Sequence, residues 1–336
     1  MDFPPLLRRI LGGASLSERE AYALVGDIMD GALSPVQSAG LLAGLAAKGE
    51  VMEEVAGAAR AMRERSLHVE HGLPMVMDVV GTGGDGADTI NISTIAAFVV
   101  AAAGVPVAKH GNRAASSACG SADVLEAVGL RIDAKPTDAA RLLTEYGFAF
   151  LFAPHYHPAM KNVAPVRREL GVRTVFNVLG PLTNPARATH QVVGVARESQ
   201  VDLVADVLQR LGVAAGAVVH GGSGIDEIAG EGPTLVRSFR DDTTHRWTLD
   251  PSDFNIHAPT GAIRGGSVDR CAEAFRRILE GERSPRADVV ALNAGLALLV
   301  AGVVENMAEG LDFARVLLHG GQARDVFERV KSHPYE

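Results

Sequence analysis

Aromatic residues make up only 5% of this 336-residue chain, too few for the stacking platforms that hold single-stranded nucleic acid. No basic block stands against the net charge of −8, which argues against a groove for duplex DNA. The two cysteines, Cys119 and Cys271, lie far apart. They build neither a disulfide framework nor a zinc pattern and suit a reducing compartment. The longest apolar run, residues 95–108, holds 14 residues and is broken by Gly104 and Pro106, short of the ~20 that a membrane span needs. The opening Met1-Asp-Phe-Pro-Pro5 carries no basic-then-apolar signal. These absences point to a cytoplasmic protein with neither a nucleic-acid nor a membrane partner.

What the chain does hold is gathered in a few polar clusters. The first spans residues 78–94. An apolar run at 75–80 reads as a buried strand; Gly81, Gly83, Gly84 and Gly86 follow, then Asn91, Ser93 and Thr94, then the apolar helical run 95–103. Glycines let the backbone approach an anion and take positive φ. A helix N-terminus adds unpaired N–H groups and the positive end of its dipole. Ser93 and Thr94 are placed to cap that helix and to reach a phosphate or its metal. No Gly-Lys-Ser/Thr follows, so this is not a Walker loop. Gly81, Gly83 and Gly86 have Rossmann spacing, but the helix starts too late for that motif. Asp85 inside the turn would repel phosphate unless a cation or a sugar hydroxyl intervenes. The ligand that fits is a hydroxylated ring carrying phosphates, with metal nearby.

The organisation reads as α/β, with a small all-helical domain and a large domain built on a mostly parallel sheet flanked by helices. Residues 1–72 form the helical domain. Ser17-Glu-Arg-Glu20 is a capping box, with Gly31 closing its helix, and Ser34-Pro-Val-Gln37 opens a second. Gly49 separates a third helix at 51–65. Small residues (Ala39, Gly40, Ala43, Gly44) permit close packing there, and one face is a candidate subunit interface. Residues 73–158 and 189–336 form the α/β domain. Strands at 75–80, 105–109, 148–152, 191–195 and 217–220 alternate with helices at 93–103, 121–128, 137–146 and 200–211. Residues 159–188 revisit the helical domain through a helix at 159–170 and a turn-rich crossing at 177–185, with a hinge at each crossing. A hairpin at 234–239 and 244–249 precedes a helical tail at 268–280, 288–303 and 309–319.

Two further clusters follow predicted strands. Lys109, His110, Gly111, Asn112 and Arg113, with Ser116, Ser117 and Ser121, supply cations, an amide, hydroxyls and close backbone approach, the donors that polyphosphate needs; Ser121 is placed to cap the next helix. His220-Gly-Gly-Ser-Gly-Ile-Asp226-Glu227 ends in adjacent carboxylates. Hard oxygen ligands beside phosphate point to Mg²⁺. Arg167 and Arg168 form a pair of which one could hold a carboxylate bidentately; spacing does not say which.

Taken together, Gly81-Thr-Gly-Gly-Asp85, Asn91-Ile-Ser-Thr94, Lys109-His-Gly-Asn-Arg113, Gly120-Ser-Ala-Asp123, Val163-Ala-Pro-Val-Arg167, Phe176-Asn-Val-Leu-Gly-Pro-Leu-Thr-Asn-Pro185 and His220–Glu227 resemble the anthranilate phosphoribosyltransferase family over nearly the whole chain. Ile225 is a small departure, where relatives more often carry Leu or Met. The resemblance implies transfer of phosphoribosyl from phosphoribosyl pyrophosphate to anthranilate in tryptophan biosynthesis. It implies that Gly81, Gly84, Asp85, Thr89, Asn91, Ile92, Ser93 and Thr94 contact the donor. Lys109, His110, Gly111, Asn112, Arg113, Ala114, Ala115, Ser116, Ser117 and Ser121 would close around its phosphates. Ser93, Asp226 and Glu227 would bind Mg²⁺, and Gly81, Asn112 and Arg167 would meet anthranilate. Lys109, Asn112 and Arg167 carry the catalytic expectation. The family is typically a homodimer through its helical domain. A pyrimidine nucleoside phosphorylase-like enzyme shares some of these motifs; a non-catalytic nucleic-acid-binding relative is the other alternative.

Overall fold

The computed structural model describes residues 3–114 and 118–335; the expectations on Ala115, Ser116 and Ser117 lie outside the described residues. Four helices open the chain: α1 (Phe3–Leu11), α2 (Glu18–Met29), α3 (Pro35–Lys48) and α4 (Met52–Glu64). Two start on the capping boxes read from sequence. The Ser17 hydroxyl accepts from the Glu20 N–H while the Glu20 carboxylate accepts from the Ser17 N–H, and Ser34 with Gln37 repeats the arrangement. Such a cap contributes about 1 kcal/mol by satisfying donors that the helix leaves orphaned.

Strand and helix then alternate through β1 (Met77–Gly81), α5 (Ile92–Ala102), β2 (Val107–Gly111), α6 (Ser121–Ala127), α7 (Pro136–Tyr146) and β3 (Phe148–Phe152). Three helices follow, α8 (Ala153–Tyr156), α9 (Met160–Leu170) and α10 (Phe176–Leu182), then β4 (His190–Gly194), α11 (Gln200–Arg210) and β5 (Ala215–Gly221). The hairpin of β6 (Thr234–Arg240) and β7 (Thr243–Leu249) leads to α12 (Val268–Leu279), α13 (Pro285–Val300), α14 (Met307–His319) and α15 (Gln322–Lys331).

The strands form a seven-stranded sheet in the order β3-β2-β1-β4-β5-β6-β7. It is parallel from β3 through β5 and antiparallel in the terminal hairpin. The chain winds outward from β1 in one direction and then returns to lay β4 against the other edge of β1. Open α/β sheets bind ligands outside the carboxyl ends of their strands at such a reversal.

The pleat sorts side chains between two cores. Val79, Val192 and Val219 face the layer of α5, α13, α14 and α15. Val80, Val193 and Val218 face α10, α11 and the opening helices. The helical layer therefore shares one apolar core with a face of the sheet. Arg63 of α4 fastens the seam: it donates to the Leu182 carbonyl at the end of α10 (2.7 Å) and to the Leu211 carbonyl at the end of α11 (3.3 Å). Helix C-termini leave such carbonyls unpaired and favour a cation. The returning helix α9 packs on α2 and α3.

Several local expectations are corrected. Helix α5 begins at Ile92, with Asn91 at the cap position and no side-chain cap bond. Neither Ser93 nor Thr94 caps it, and Thr94 is buried. Gly120, not Ser121, precedes α6, and the Ser121 hydroxyl instead donates to the Asn112 carbonyl at 3.2 Å. The crossing at 177–185 contains helix α10, with Pro181 in its last turn, where the proline gives up one intrahelical N–H bond. Helix α15 lies beyond the expected helical tail. Among the described residues no helix is long and apolar enough to cross a membrane.

Candidate active site

The carboxyl ends of β1 and β4 meet at Gly81 and Gly194, which are register partners. The loop after β5 folds back across both. A Cβ on Gly81 would lie 2.3 Å from Asp226 Oδ2, and one on Gly194 would lie 1.6 Å from the Asp226 carbonyl oxygen. Glycine is required at these two positions by crowding. The Gly83 N–H donates to Asp226 Oδ2 at 2.6 Å, and the Asp226 N–H donates to the Asp85 carboxylate at 3.3 Å. Gly83, Gly84 and Gly86 all have positive φ, the left-handed backbone that glycine tolerates.

The first turn of α5 closes the other side. The Ser93 N–H donates to Glu227 Oε1 at 3.2 Å. Lys109, buried on β2, donates to the Val79 carbonyl (2.7 Å) and the Ser93 hydroxyl (3.3 Å). Burial lowers its pKa, while Asp78, Glu227 and Asp226 pull the other way. Burial pushes the Glu227 carboxyl up to about 7, against the pull of Lys109 and the bonds from Ser93. Burial, Glu227 and Asp85 raise Asp226 well above the ordinary carboxylate range. Negative charge here exceeds what one lysine offsets, which is the electrostatic signature of a cation site. Among the described residues no three His, Cys, Asp or Glu side chains converge at metal-ligand spacing. Two carboxylates and a hydroxyl, those of Asp226, Glu227 and Ser93, are the oxygens here that could hold a hard cation.

Gly81, Asp85, Ser93, Lys109, Asp226 and Glu227 are thus brought together. Thr89 and Asn91 make their contacts elsewhere: Thr89 bridges to Arg264, and Asn91 Nδ2 donates to the Cys119 carbonyl at 3.2 Å. Ile92 and Thr94 are buried, and their backbone N–H groups already donate, to the Ile90 carbonyl at 2.7 Å and the Asn91 carbonyl at 3.1 Å, so neither offers a ligand a free donor. Gly111 lets the chain pass close to Ser121, where a Cβ would stand 2.3 Å from the hydroxyl. Asn112 is exposed, and its Oδ1 accepts from the Arg113 N–H at 2.8 Å. Arg113 turns toward α6, pairing with Asp123 (3.1 Å) and Glu126 (2.8 Å). The Ala114 N–H also donates to Asp123, at 2.9 Å. The carboxylates of α6 therefore hold this stretch.

His110 points into the protein. Its Nδ1 lies 3.1 Å from the Gly180 carbonyl and its Nε2 lies 3.2 Å from His157 Nε2. A carbonyl only accepts, so Nδ1 carries the proton and the His157 Nε2–H donates to His110. Burial depresses both rings, His110 to about 4 and His157 to about 3. Such a neutral ring packs against the α10 segment.

Arg167 and Arg168 separate clearly. Arg168 is exposed; Arg167 is half-buried, 5.7 Å from the Phe176 ring, and has no ion-pair partner among the described residues. Burial lowers its pKa. It stands on α9 in the helical layer and bonds directly to none of the residues on the sheet.

Three residues of the site escape sequence reasoning. Asp78 is fully buried beneath Lys109, where burial raises it to about 6 despite Lys109 and the Asn184 amide. Asn184 donates to Asp78 at 2.7 Å and to the Ala108 carbonyl at 2.7 Å. Arg173 lies against the glycine turn, donating to the Gly84 carbonyl at 3.3 Å. The one available signal was a lone acid in an apolar strand, Asp78. A broad groove lined by Ala101, Gly104, Tyr146 and Arg329 lies at the opposite, amino-terminal end of the strands and contains none of these groups.

Residues 73–324 match the family described as glycosyl transferase family, a/b domain, and residues 4–66 match its helical bundle domain. The anthranilate phosphoribosyltransferase of Symbiobacterium thermophilum is 49% identical over 97% of this chain and 96% of its own. The chain belongs to the anthranilate phosphoribosyltransferase family. The family protein of Thermomicrobium roseum is likewise 49% identical, over 97% of this chain and 95% of its own. The crystal structure of anthranilate phosphoribosyltransferase from Thermus thermophilus superposes with a TM-score of 0.91 at 45% identity, covering 97% of this chain and 98% of that one. The Saccharomyces cerevisiae anthranilate phosphoribosyltransferase, in complex with PRPP and Mg, gives 0.89 at 26% identity, covering 97% and 96%. These relatives favour neither the nucleoside phosphorylase nor the nucleic-acid-binding alternative.

Proposed function

We propose that the chain transfers the phosphoribosyl group of phosphoribosyl pyrophosphate to the amine of anthranilate, releasing pyrophosphate and N-(5-phosphoribosyl)anthranilate. The observation that carries this reading is the placing of Asp226 and Glu227 against Lys109 and the start of α5, at the reversal of the sheet. Family membership supplies the substrates.

The carboxylates fit Mg²⁺: both are raised by burial and by neighbouring negative charge, which a dication reverses. Ser93, Asp226 and Glu227 would hold it. When bound, Mg²⁺ supplies charge neutralisation to the departing pyrophosphate.

The chain's own groups do the rest. An aryl amine is neutral at pH 7 and needs little base catalysis; the barrier is departure of pyrophosphate as positive charge grows on the ribose. Lys109 and the positive end of the α5 dipole stabilise that leaving group. The glycine turn, from Gly81 through Asp85 and on to Thr89 and Asn91, receives the ribose and phosphates. The segment from Lys109 to Ala114, with Ser121, closes over them. Arg167 and Asn112 hold the anthranilate carboxylate and amine in line, a proximity effect, beside the turn that begins at Gly81. Movement of the helical layer toward the sheet excludes water from the activated ribose.

Two copies pair through α1 and α3, where Val36 is 81% exposed and Leu11 is 67% exposed. The free thiols Cys119 and Cys271 suit the cytoplasm. The test is loss of anthranilate fluorescence on mixing protein, donor and Mg²⁺, with and without EDTA. Metal-dependent loss is expected; no loss from folded protein would sink anthranilate as acceptor.

A further inference from the structure

Arg173 is not among the positions that the family resemblance assigns to either substrate, yet its guanidinium lies against Gly84 of the glycine turn. It follows the left-handed Gly171 that ends α9 and precedes α10. Its Nη1 makes one long bond, 3.3 Å, to the Gly84 carbonyl. Its Nη2 is shut away from water and has no hydrogen-bond partner. A buried charged donor left unsatisfied is costly, and native structures rarely keep one without a use.

Two further observations point the same way. Gly84 is what allows the guanidinium to lie there: a Cβ at that position would stand 2.3 Å from Nη1. Arg197, from the turn after β4, lies near enough to repel Arg173, while Asp226 attracts it. The neighbouring Ala196 N–H donates to the Thr82 hydroxyl of the same turn at 3.3 Å, so a second arginine adjoins the turn in sequence, and positive charge so placed favours an anion. If Arg173 were only a pin for the turn, a neutral donor of the same reach would serve without the buried, unmatched nitrogen.

We infer that Arg173 is a donor-binding residue, whose free Nη2 receives a phosphate oxygen of phosphoribosyl pyrophosphate as the glycine turn fills. This rests on the function proposed above. The acceptor's carboxylate is the other anion in the reaction, but the Arg173 bond is to the turn where the donor sits, whereas Arg167 lies on Phe176 of the helical layer.

The test is equilibrium binding of inorganic pyrophosphate, and of the donor, to the full chain with Mg²⁺ by titration calorimetry, without anthranilate. Wild type is compared with Arg173→Ala, Arg173→Lys, Arg173→Gln and the exposed-site control Arg168→Ala. Loss of a charge-assisted hydrogen bond predicts binding weakened about 10- to 100-fold in Arg173→Ala and Arg173→Gln. Arg173→Lys recovers part of it, since it keeps the charge without the fork, and Arg168→Ala binds as wild type. The KM for anthranilate in Arg173→Gln stays near the wild-type value. Should Arg173→Ala not fold, as judged by thermal melting, the Gln and Lys pair decides. Wild-type affinity in folded Arg173→Gln, or an effect confined to the anthranilate KM, overturns the inference while leaving the proposed function standing. A wild-type chain that binds neither pyrophosphate nor donor overturns both.

Discussion

The Gly83 N–H donates to the Asp226 carboxylate across 2.6 Å, and this bond ties the glycine turn after β1 to the acidic loop after β5. A shift of the turn would therefore move the acid with it. A methyl group at Gly81 would stand 2.3 Å from the same carboxylate oxygen. Gly81→Ala should raise the Mg²⁺ concentration for half-maximal rate about 10- to 100-fold, as loss of an orienting contact to a metal ligand does. A Mg²⁺ titration of the rate checks this, and an unchanged midpoint would disconnect turn from acid.

Glu227 gives a stability prediction with a definite sign. Its folded pKa is raised from 4.5 to about 7. The ionised form therefore costs the folded state nothing below pH 4.5, increasingly between 4.5 and 7, and fully above 7. Glu227→Gln should melt higher than wild type above pH 7 in EDTA, by up to about 3 kcal/mol, with the gain vanishing toward pH 4.5. Turnover should fall about 100-fold or more. Lower stability at pH 8 in EDTA would show that the carboxylate is not strained.

Arg167 and Arg168 provide a matched pair. Arg167→Ala should raise the KM for anthranilate about 10- to 100-fold, with a far smaller change for the donor. Arg168→Ala should alter neither. Initial rates at varied concentrations of both substrates separate the two, and unchanged anthranilate kinetics in Arg167→Ala would remove it from this role.

The His110–His157 pair should make the fold sensitive to acid. Both folded pKa values lie below the ordinary 6.5, at about 4 and about 3. The unfolded chain therefore takes up protons first, and stability present above pH 6.5 is lost as pH falls toward 4. His157→Asn keeps a donor for His110 Nε2 but removes one titrating ring. Its melting temperature should fall less between pH 7.5 and pH 5 than that of wild type. An equal or larger fall would mean that other groups set the acid limb.

The dimer proposed above would rest on exposed apolar side chains of α1 and α3. Val36→Glu should shift sedimentation velocity from dimer to monomer without loss of helicity. A dimer of undiminished stability would move the interface elsewhere.

Much of this was legible because it is local. Ser17 with Glu20 and Ser34 with Gln37 cap helices within four residues of sequence, and the parallel strands fall within about two residues of the apolar runs. Which polar clusters meet was partly legible: Lys109, Ser93 and Glu227 come together at the strand ends, whereas His110 turns inward and Arg113 turns to α6. Long-range partnership was not. Asp78 finds Asn184 at 106 residues' separation, and Arg173 finds Gly84 at 89; a single polar residue carries no mark of a partner so remote. Helix α10 was hidden because Gly180 and Pro181 read as turn formers, although its apolar face packs into the second core. Ser93, Thr94 and Ser121 were misassigned as caps since a hydroxyl near a helix start looks the same one residue inside it.

Arg63 ends two distant helices at once, holding carbonyls 119 and 148 residues further along the chain. It belongs to the stretch matched by the helical bundle family, while both carbonyls belong to the stretch matched by the a/b family. A hybrid made by exchanging one stretch with a relative would keep a sound interior only if the incoming piece brought an arginine, or received two carbonyls, at that seam. The two stretches are separable as text but have to be transplanted together.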